Sequence, residues 1–591
     1  MKTRSLKTRW IAALSAGAML MQLPAITPAA ADTLNYGDAL KLSLYFYDSN
    51  QCGTEVDDNP LTWRGNCHTY DAAAPLSAAV GLTDAEKAVI KAANGGADTV
   101  DVSGGYHDAG DHIKSTMTMG FSATSLAWSY YTNPAAFKDT GSRAHLFDIL
   151  KEMCDYMMKV TYLDDSGAVV AFCYLVSNSG EHSEWLAPEK QTSARPTYWG
   201  TASHQSADTA GEMAAALASS SVALREVDAD YADECLKYAK ALRDFAQKYP
   251  GASYDGIGDM YSSSSQVDDI AWADLWCHVA DGTISSYTPV SVNSDGSYNA
   301  STGKEYDGWI YSWGKVWGGY CTLLYSLGFD AYGSTVLNNM NRLLSNPTAG
   351  SYSIVADGWG ASRYSCAWQM YCTNYAATSG ESRYAENAKT QMDYLLGGNP
   401  DHRSYLLGYT DTFPSQIHHR GANPNKGNAT YVLYGGLVGG PTDANGSYTD
   451  RYDSYACTEP ALDYNGCFTL AISGLCTAFG AGDGSGADAV IAAASEIDET
   501  KEFGAWYDEG GQVDPPTTTD TTEPVGDAHV GDVNCDGMVK IGDVILLNRF
   551  LAEDQTVNIS DQGMLNAEAD GTTGINGNDA TAILKIIAGL E

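Results

Sequence analysis

The chain has 591 residues, 44% of them hydrophobic and 11% aromatic, with 34 lysines and arginines against 73 aspartates and glutamates and a formal charge of −39. So acidic a chain lacks the basic face that phosphate neutralisation requires, which excludes nucleic acid as its partner, and its apolar content excludes global disorder. Length alone predicts several domains, or one large fold with a module attached.

Residues 1–31 open with Lys2, Arg4, Lys7 and Arg9, continue through a mostly apolar run at 10–23 and end on Ala29, Ala30 and Ala31. A basic start, a short apolar core and small residues predict a removable secretory leader, because the run is short for a membrane anchor. No other uninterrupted apolar stretch of spanning length follows, so an exported protein without a membrane partner is expected. Cys52, Cys67, His68 and His107 come next, and then GGYHDAGDHIK at 104–114, with Asp108 and Asp111 three apart in a glycine-containing turn. Two carboxylates so placed can share one water, one orienting it and the other taking its proton; close Asp pairs also serve as helix caps or metal ligands.

Apolar residues recur at intervals of three and four in Ala-rich stretches at 206–227, 231–249, 265–281, 317–328, 366–377 and 383–396. Gly, Pro, Asn and Asp clusters punctuate them, and alternating strands are scarce, so an all-helical domain with Gly/Tyr-rich loops is predicted. One such loop holds His418, His419 and Arg420, residues suited to binding hydroxyls or orienting carboxylates, or to forming a solvated basic loop. The segment YTDRYDSYACTEPALDYN at 448–465 then places Asp450 and Glu459 ahead of an apolar helix starting near Ala461. A partly buried Glu there can keep a raised pKa and donate a proton, whereas an exposed one would only complement the helix dipole.

Composition shifts after Tyr507. The stretch DEGGQVDPPTTTDTTEPV at 508–525 has no apolar periodicity and is predicted as a linker between a catalytic-sized domain at 32–507 and a module at 526–591. In that module Asp532, Asn534, Asp536, Gly537 and Asp543 take positions 1, 3, 5, 6 and 12 of DVNCDGMVKIGD, followed by a helix carrying Val544, Leu547 and Leu551. Alternate oxygens of such a loop suit calcium, and the glycine permits its sharp turn. A second copy, EADGTTGINGND, offers Glu568, Asp570, Thr572 and Asp579 before Ile583 and Ile587, with Thr573 standing where the first copy has Gly537. Duplicated calcium loop-helix units behind a Pro/Thr linker resemble a dockerin module. The resemblance implies a small α-helical module, two calcium ions, and a cohesin partner on a cellulosome scaffold met through Ile541, Gly542, Gly577 and Asn578.

The large domain resembles family 9 glycoside hydrolases. Its DAGD turn, the His418-His419-Arg420 triplet and the Asp450/Glu459 spacing match three motifs of that family in order. EHSEW from Glu181, DDIAWADLW from Asp268, WGASRY from Trp359 and GGLVGGP from Gly435 extend the match over 34–507. Thr458, Pro460 and Gly466 depart from the usual pattern. The resemblance implies an all-α (α/α)6 barrel and inverting hydrolysis of internal β-1,4 bonds in cellulose. Asp111 would be the base, Asp108 would help hold the water, Glu459 would be the acid, and Asp450, His418 and Arg420 would support the acid and the sugar hydroxyls. His182, Trp185, Trp313, Trp359, Tyr364 and Tyr464 fall at or near sugar-contact positions, where flat rings with polar tips suit a pyranose face. Xyloglucan or mixed-linkage glucan is the alternative substrate, processive attack an alternative mode, and an inactive glucan-binding protein displayed by the module a third reading. Some members carry a zinc set matching Cys52, Cys67, His68 and His107; a Cys52–Cys67 disulfide is the rival in an exported protein. Calcium in the catalytic domain, besides that of the module, is left open.

Overall fold

The computed structural model describes residues 34–507 apart from 253, 259, 264, 291–309, 344–357 and 444, and in a separate C-terminal unit 530–533, 539, 541–551, 559, 561–570 and 575–587. In the larger unit the first outer helix is α1 (Tyr36–Ser43), its amide Asp38 N capped by the Asn35 side chain. Then come α2 (Thr116–Thr132), α3 (Arg143–Lys159), α4 (Ala207–Leu224), α5 (Ala229–Lys248), α6 (Val267–Ala280), α7 (Trp317–Ser326), α8 (Gly333–Leu343), α9 (Ala361–Ser379), α10 (Arg383–Leu395) and α11 (Leu462–Phe479). Helices α2, α4, α6, α7, α9 and α11 touch in that order and α11 closes back on α2, giving the inner ring of an (α/α)6 barrel. Helices α1, α3, α5, α8 and α10 pack outside it.

Inner and outer helices differ in sequence because they differ in surroundings. Helix α5 buries Ala232, Cys235, Leu236, Ala239, Leu242 and Ala246, the one-sided stripe of a surface helix. Helix α2 is buried on every side over nearly its whole length, so its sequence TMTMGFSATSLAWSYYT has no polar face and no period to read. It lies outside the helical stretches predicted from sequence, as do α3 and α8. Small residues let the inner helices approach closely: a Cβ on Gly211 of α4 would meet the Asp269 backbone of α6 at 2.7 Å. Trp128, Trp272 and Trp276 fill the ring edge-on, with centroids 5.5 Å and 5.6 Å apart along the chain of contacts. Much of the aromatic surplus is therefore core.

The all-helical expectation needs one correction. Strands β1 (Lys114–Ser115), β2 (Thr161–Leu163), β3 (Val169–Val176) and β4 (Thr197–Thr201) form an antiparallel sheet in which β3 pairs with all three others. Most of β3, VVAFCYLV, is buried, so it reads as a continuous apolar run without the alternation that marks a half-exposed strand. β1 leads directly from the DAGD turn into α2.

In the C-terminal unit, α12 (Ile541–Leu551), α13 (Asp561–Ala567) and α14 (Gly577–Ile587) enclose a small core of Val544, Leu547, Ile559 and Ile583. The start of the first loop and the helix before the second are tied together, Asn566 Nδ2 donating to Asp532 O at 2.7 Å and Gly531 N to Asn566 O at 2.7 Å. In the second loop the Asp579 carboxylate accepts from Ala569 N, Asp570 N and Asn576 N at 2.9, 3.0 and 2.9 Å. Asn534, Asp536, Thr572, the 508–525 linker and the 1–31 leader lie outside the described residues, and of Asp543, Ile541 and Gly542 only the helical backbone is described. Among the described residues no helix is long and apolar enough to cross a membrane.

Candidate active site

The predicted functional residues gather at one end of the barrel, where the inner helices begin. Asp108 and Asp111 precede α2, Trp313 precedes α7, Trp359 precedes α9 and Glu459 precedes α11. Three remote segments are joined there by backbone hydrogen bonds: Leu462 N donates to Asp108 O at 2.9 Å, Arg420 N to Gly110 O at 3.1 Å and His418 N to Thr458 O at 3.0 Å. Glycine is required at the centre of this junction, because a Cβ on Gly110 would lie 2.4 Å from His419 Cα. Buried Asn50 braces the same junction, donating to His107 O and Asp108 O at 3.1 and 3.2 Å while its Oδ1 accepts from His419 Nε2 at 2.9 Å.

These segments line a cleft of about 760 Å³. Asp111 is buried in its wall; His182 Nδ1 donates to its Oδ2 at 2.6 Å. Burial alone would raise this carboxyl's pKa, but the His182 hydrogen bond and the Arg420 charge outweigh it and hold the pKa below the usual value. Asp108 accepts from Tyr261 OH at 2.9 Å while its Oδ1 has no partner; burial and then the nearby Asp463 carboxylate push it up to about 7. Glu459 accepts from Trp359 Nε1 at 2.9 Å, and burial followed by the Asp111 charge raises it to about 8. One cleft thus holds an ionised carboxylate and a protonated carboxylic acid near neutral pH. Enclosure also lowers the pKa of His418, whose Nδ1 donates to Tyr452 O at 2.6 Å, keeping it a neutral imidazole. Arg420 is buried with Nε and one terminal nitrogen unpaired, donors available to a ligand hydroxyl.

His182, Trp313, Trp359 and Tyr464 line the cleft as the sequence suggested; Asp450, Trp185 and Tyr364 do not. Asp450 instead accepts from Ser415 N, Ser415 Oγ and Gln416 N, anchoring the base of the loop that carries His418. Trp185 donates to Asn423 O and stands edge-on behind His418, with the Arg420 guanidinium 5.5 Å over its ring. Tyr364 accepts from Arg363 at 2.9 Å beside the cleft. Tyr261, Arg363 and Asp463 are lining residues that sequence reasoning missed; Arg363 pairs with Asp463 at 2.6 Å. Arg363 lies within the WGASRY match, the one signal that pointed near it.

Below the DAGD turn, Cys52, Cys67, His68 and His107 are all buried, and one donor atom from each lies within 4.8 Å of the others. The two thiols are not joined. His68 Nε2 faces Gln191 Oε1 at 3.1 Å and Glu181 at 3.2 Å, so its proton belongs there, and its Nδ1 lone pair meets His107 Nε2 at 3.0 Å. Converging lone pairs and thiols in the same pocket fit a tetrahedral cation.

A profile described as "Glycosyl hydrolase family 9" matches residues 36–472. The chain belongs to this family. It is 33% identical over 497 residues to Endoglucanase B of Cellulomonas fimi, a match covering 79% of this chain and 44% of that protein. It is 31% identical over 478 residues to an Endoglucanase of Dictyostelium discoideum, covering 75% of this chain and 61% of that one. The chain thus spans about half the length of these relatives. Among solved structures, the catalytic domain of Clostridium thermocellum CelT has a TM-score of 0.68 at 35% identity, covering 76% of this chain and 97% of that one. The cellulase Cel9M of C. cellulolyticum, solved with cellobiose, has a TM-score of 0.64 at 30% identity, covering 76% of this chain and 100% of that one.

If the backbone junction sets the cleft, Gly110→Ala should cost roughly 1–3 kcal/mol of stability and lower kcat by about a hundredfold through misplacement of Asp108 and Asp111. Thermal denaturation and turnover on a soluble glucan check this; wild-type values for both would show the close contact to be tolerated.

Proposed function

We propose that this family 9 chain is an exported endo-β-1,4-glucanase that hydrolyses cellulose internally with inversion at the anomeric carbon. The observation that carries the reading is the pairing, in one cleft, of a carboxylate held ionised and a carboxylic acid held protonated. Asp111 takes a proton from water that Asp108 helps to hold, and that water attacks the anomeric carbon. Glu459 gives its proton to the departing glycosidic oxygen. Inversion requires the two groups on opposite faces of the sugar, about 6.5–9.5 Å apart. Trp313 and the half-exposed Trp359 offer flat faces to pyranose rings, and the unpaired Arg420 donors offer hydrogen bonds to their hydroxyls. The endoglucanase names of the relatives and the cellobiose in the C. cellulolyticum cellulase support a glucan as substrate.

Zinc is assigned to Cys52, Cys67, His68 and His107 on the fit of their donor set; bound there, it would supply structure, joining the 52–68 loop to the residue before Asp108. The C-terminal unit is read as a dockerin that binds calcium through Asp532, Asn534, Asp536 and Asp543 and through Glu568, Asp570, Thr572 and Asp579. Its partner is a cohesin on a scaffold, and the enzyme's location is the cell exterior, on the strength of the 1–31 pattern.

Glu459→Gln and Asp111→Asn should each lower hydrolysis of soluble cellulose by about a thousandfold or more while leaving glucan binding within a few-fold; near-normal turnover in either would remove its assigned role. Asp532→Ala together with Asp579→Ala should abolish calcium-dependent capture by immobilised cohesins with soluble-glucan turnover unchanged. Undiminished capture would contradict the dockerin reading.

A further inference from the structure

Glu181 is a carboxylate that the hydrolytic mechanism does not use, yet it is completely buried. It lies in a short helix, Ser179–Ser183, capped by the Asn178 side chain on Glu181 N. Three groups converge on its side chain: the Ser177 hydroxyl, the Arg195 guanidinium and His68 Nε2 at 3.2 Å, a nitrogen that also faces Gln191 Oε1 at 3.1 Å. Arg195 is itself pinned by Asp71 at 3.2 Å and donates to His112 O at 3.2 Å, one residue after Asp111. Asp71 in turn meets Lys114 at 3.3 Å. The carboxylate is thus fixed on one side by the Cys/His cluster and on the other by the turn that carries the base.

The residue after Glu181 is His182, and it is His182 that donates to Asp111. We infer that Glu181 is a positioning residue that couples zinc occupancy to the orientation of the base, an inference that rests on the zinc reading above. With Nε2 of His68 donating to Gln191 Oε1 and facing the Glu181 carboxylate, Nδ1 is left as the metal-facing lone pair, and the basicity of that nitrogen rises with the carboxylate behind it. Held by the metal, His68 fixes the carboxylate, and the carboxylate fixes the turn from which His182 reaches Asp111. A second connection runs through the backbone, since His107 of the cluster immediately precedes Asp108 and Asn50, two residues before Cys52, holds both their carbonyls. The zinc cluster therefore touches the pair of aspartates from both sides. A change at Glu181 should therefore weaken zinc binding and loosen the base turn together.

The test uses the full chain purified with its metal. Zinc content is measured first, and then zinc affinity by competition with a chromophoric chelator, alongside kcat and KM on a soluble glucan, for wild type, zinc-stripped wild type, Glu181→Gln and the milder Ser177→Ala. The expected result is one zinc per chain and about a 10- to 100-fold loss of zinc affinity in Glu181→Gln. A comparable fall in kcat with KM within about twofold is also expected, as is a smaller change of the same sign in Ser177→Ala. Stripping zinc from wild type should reproduce the kcat loss, and stripping Glu181→Gln should add little to it, the non-additivity of groups acting as a unit. Should Glu181→Gln fail to fold, Ser177→Ala and stripped wild type carry the test. Zinc bound but with kcat unchanged on stripping, or affinity lost without any kcat change, overturns the coupling and leaves the zinc assignment standing. A protein purified without zinc overturns both.

Discussion

Everything at the active end of this barrel depends on backbone hydrogen bonds joining segments that are far apart in sequence: Asp108 O with Leu462 N, Gly110 O with Arg420 N, Thr458 O with His418 N. Each is a peptide group that would be costly to bury unpaired, so the three segments are stable only together. The junction carries the DAGD turn, the histidine-arginine loop and Glu459 as one piece.

The chemistry follows from what surrounds each carboxyl on that piece. Burial disfavours charge on all three, and the outcome is decided by the neighbours. Asp111 has a donor and a cation close by and stays ionised. Glu459 has the Asp111 charge and one indole N–H, and the charge prevails. Asp108 sits between, with Asp463 behind it and Tyr261 in front. One unit of displacement corresponds to about 1.4 kcal/mol, so opposed shifts of this kind set Asp111 and Glu459 apart with ordinary interactions. The Arg363–Asp463 pair at the head of α9 and α11 joins the two sides, its anion nearer Asp108 and its cation acting on Glu459.

How much of this the sequence disclosed depended on whether an element has two different faces. Outer helix α5 and the inner helices rich in alanine were legible because periodicity or composition marks them. Helix α2 was not, being buried all round, and β3 was not, being apolar throughout. Asp108, Asp111 and Glu459 were found because short motifs hold them at fixed spacings. Tyr261 and Asn50 were not, since each reaches the site only through the fold, and Asp463, although inside the 448–465 segment, carries no pattern that separates it from the other acids there. Asp450, Trp185 and Tyr364 show the converse limit: motif position located them near the site but not which way they face, and they anchor or back the residues that line it.

The central claim is that one cleft holds an ionised Asp111 together with a protonated Glu459, and the pH dependence of kcat/KM on a soluble cellulose derivative tests it most directly. In the proposed roles Asp111 works only above its pKa and Glu459 only below its own, so the profile should be a bell. Its acid limb should lie below the ordinary carboxylate range and its alkaline limb at about 8. An alkaline limb that falls through the ordinary glutamate range near about pH 4–5 would contradict the account, because Glu459 would then hold no proton to give.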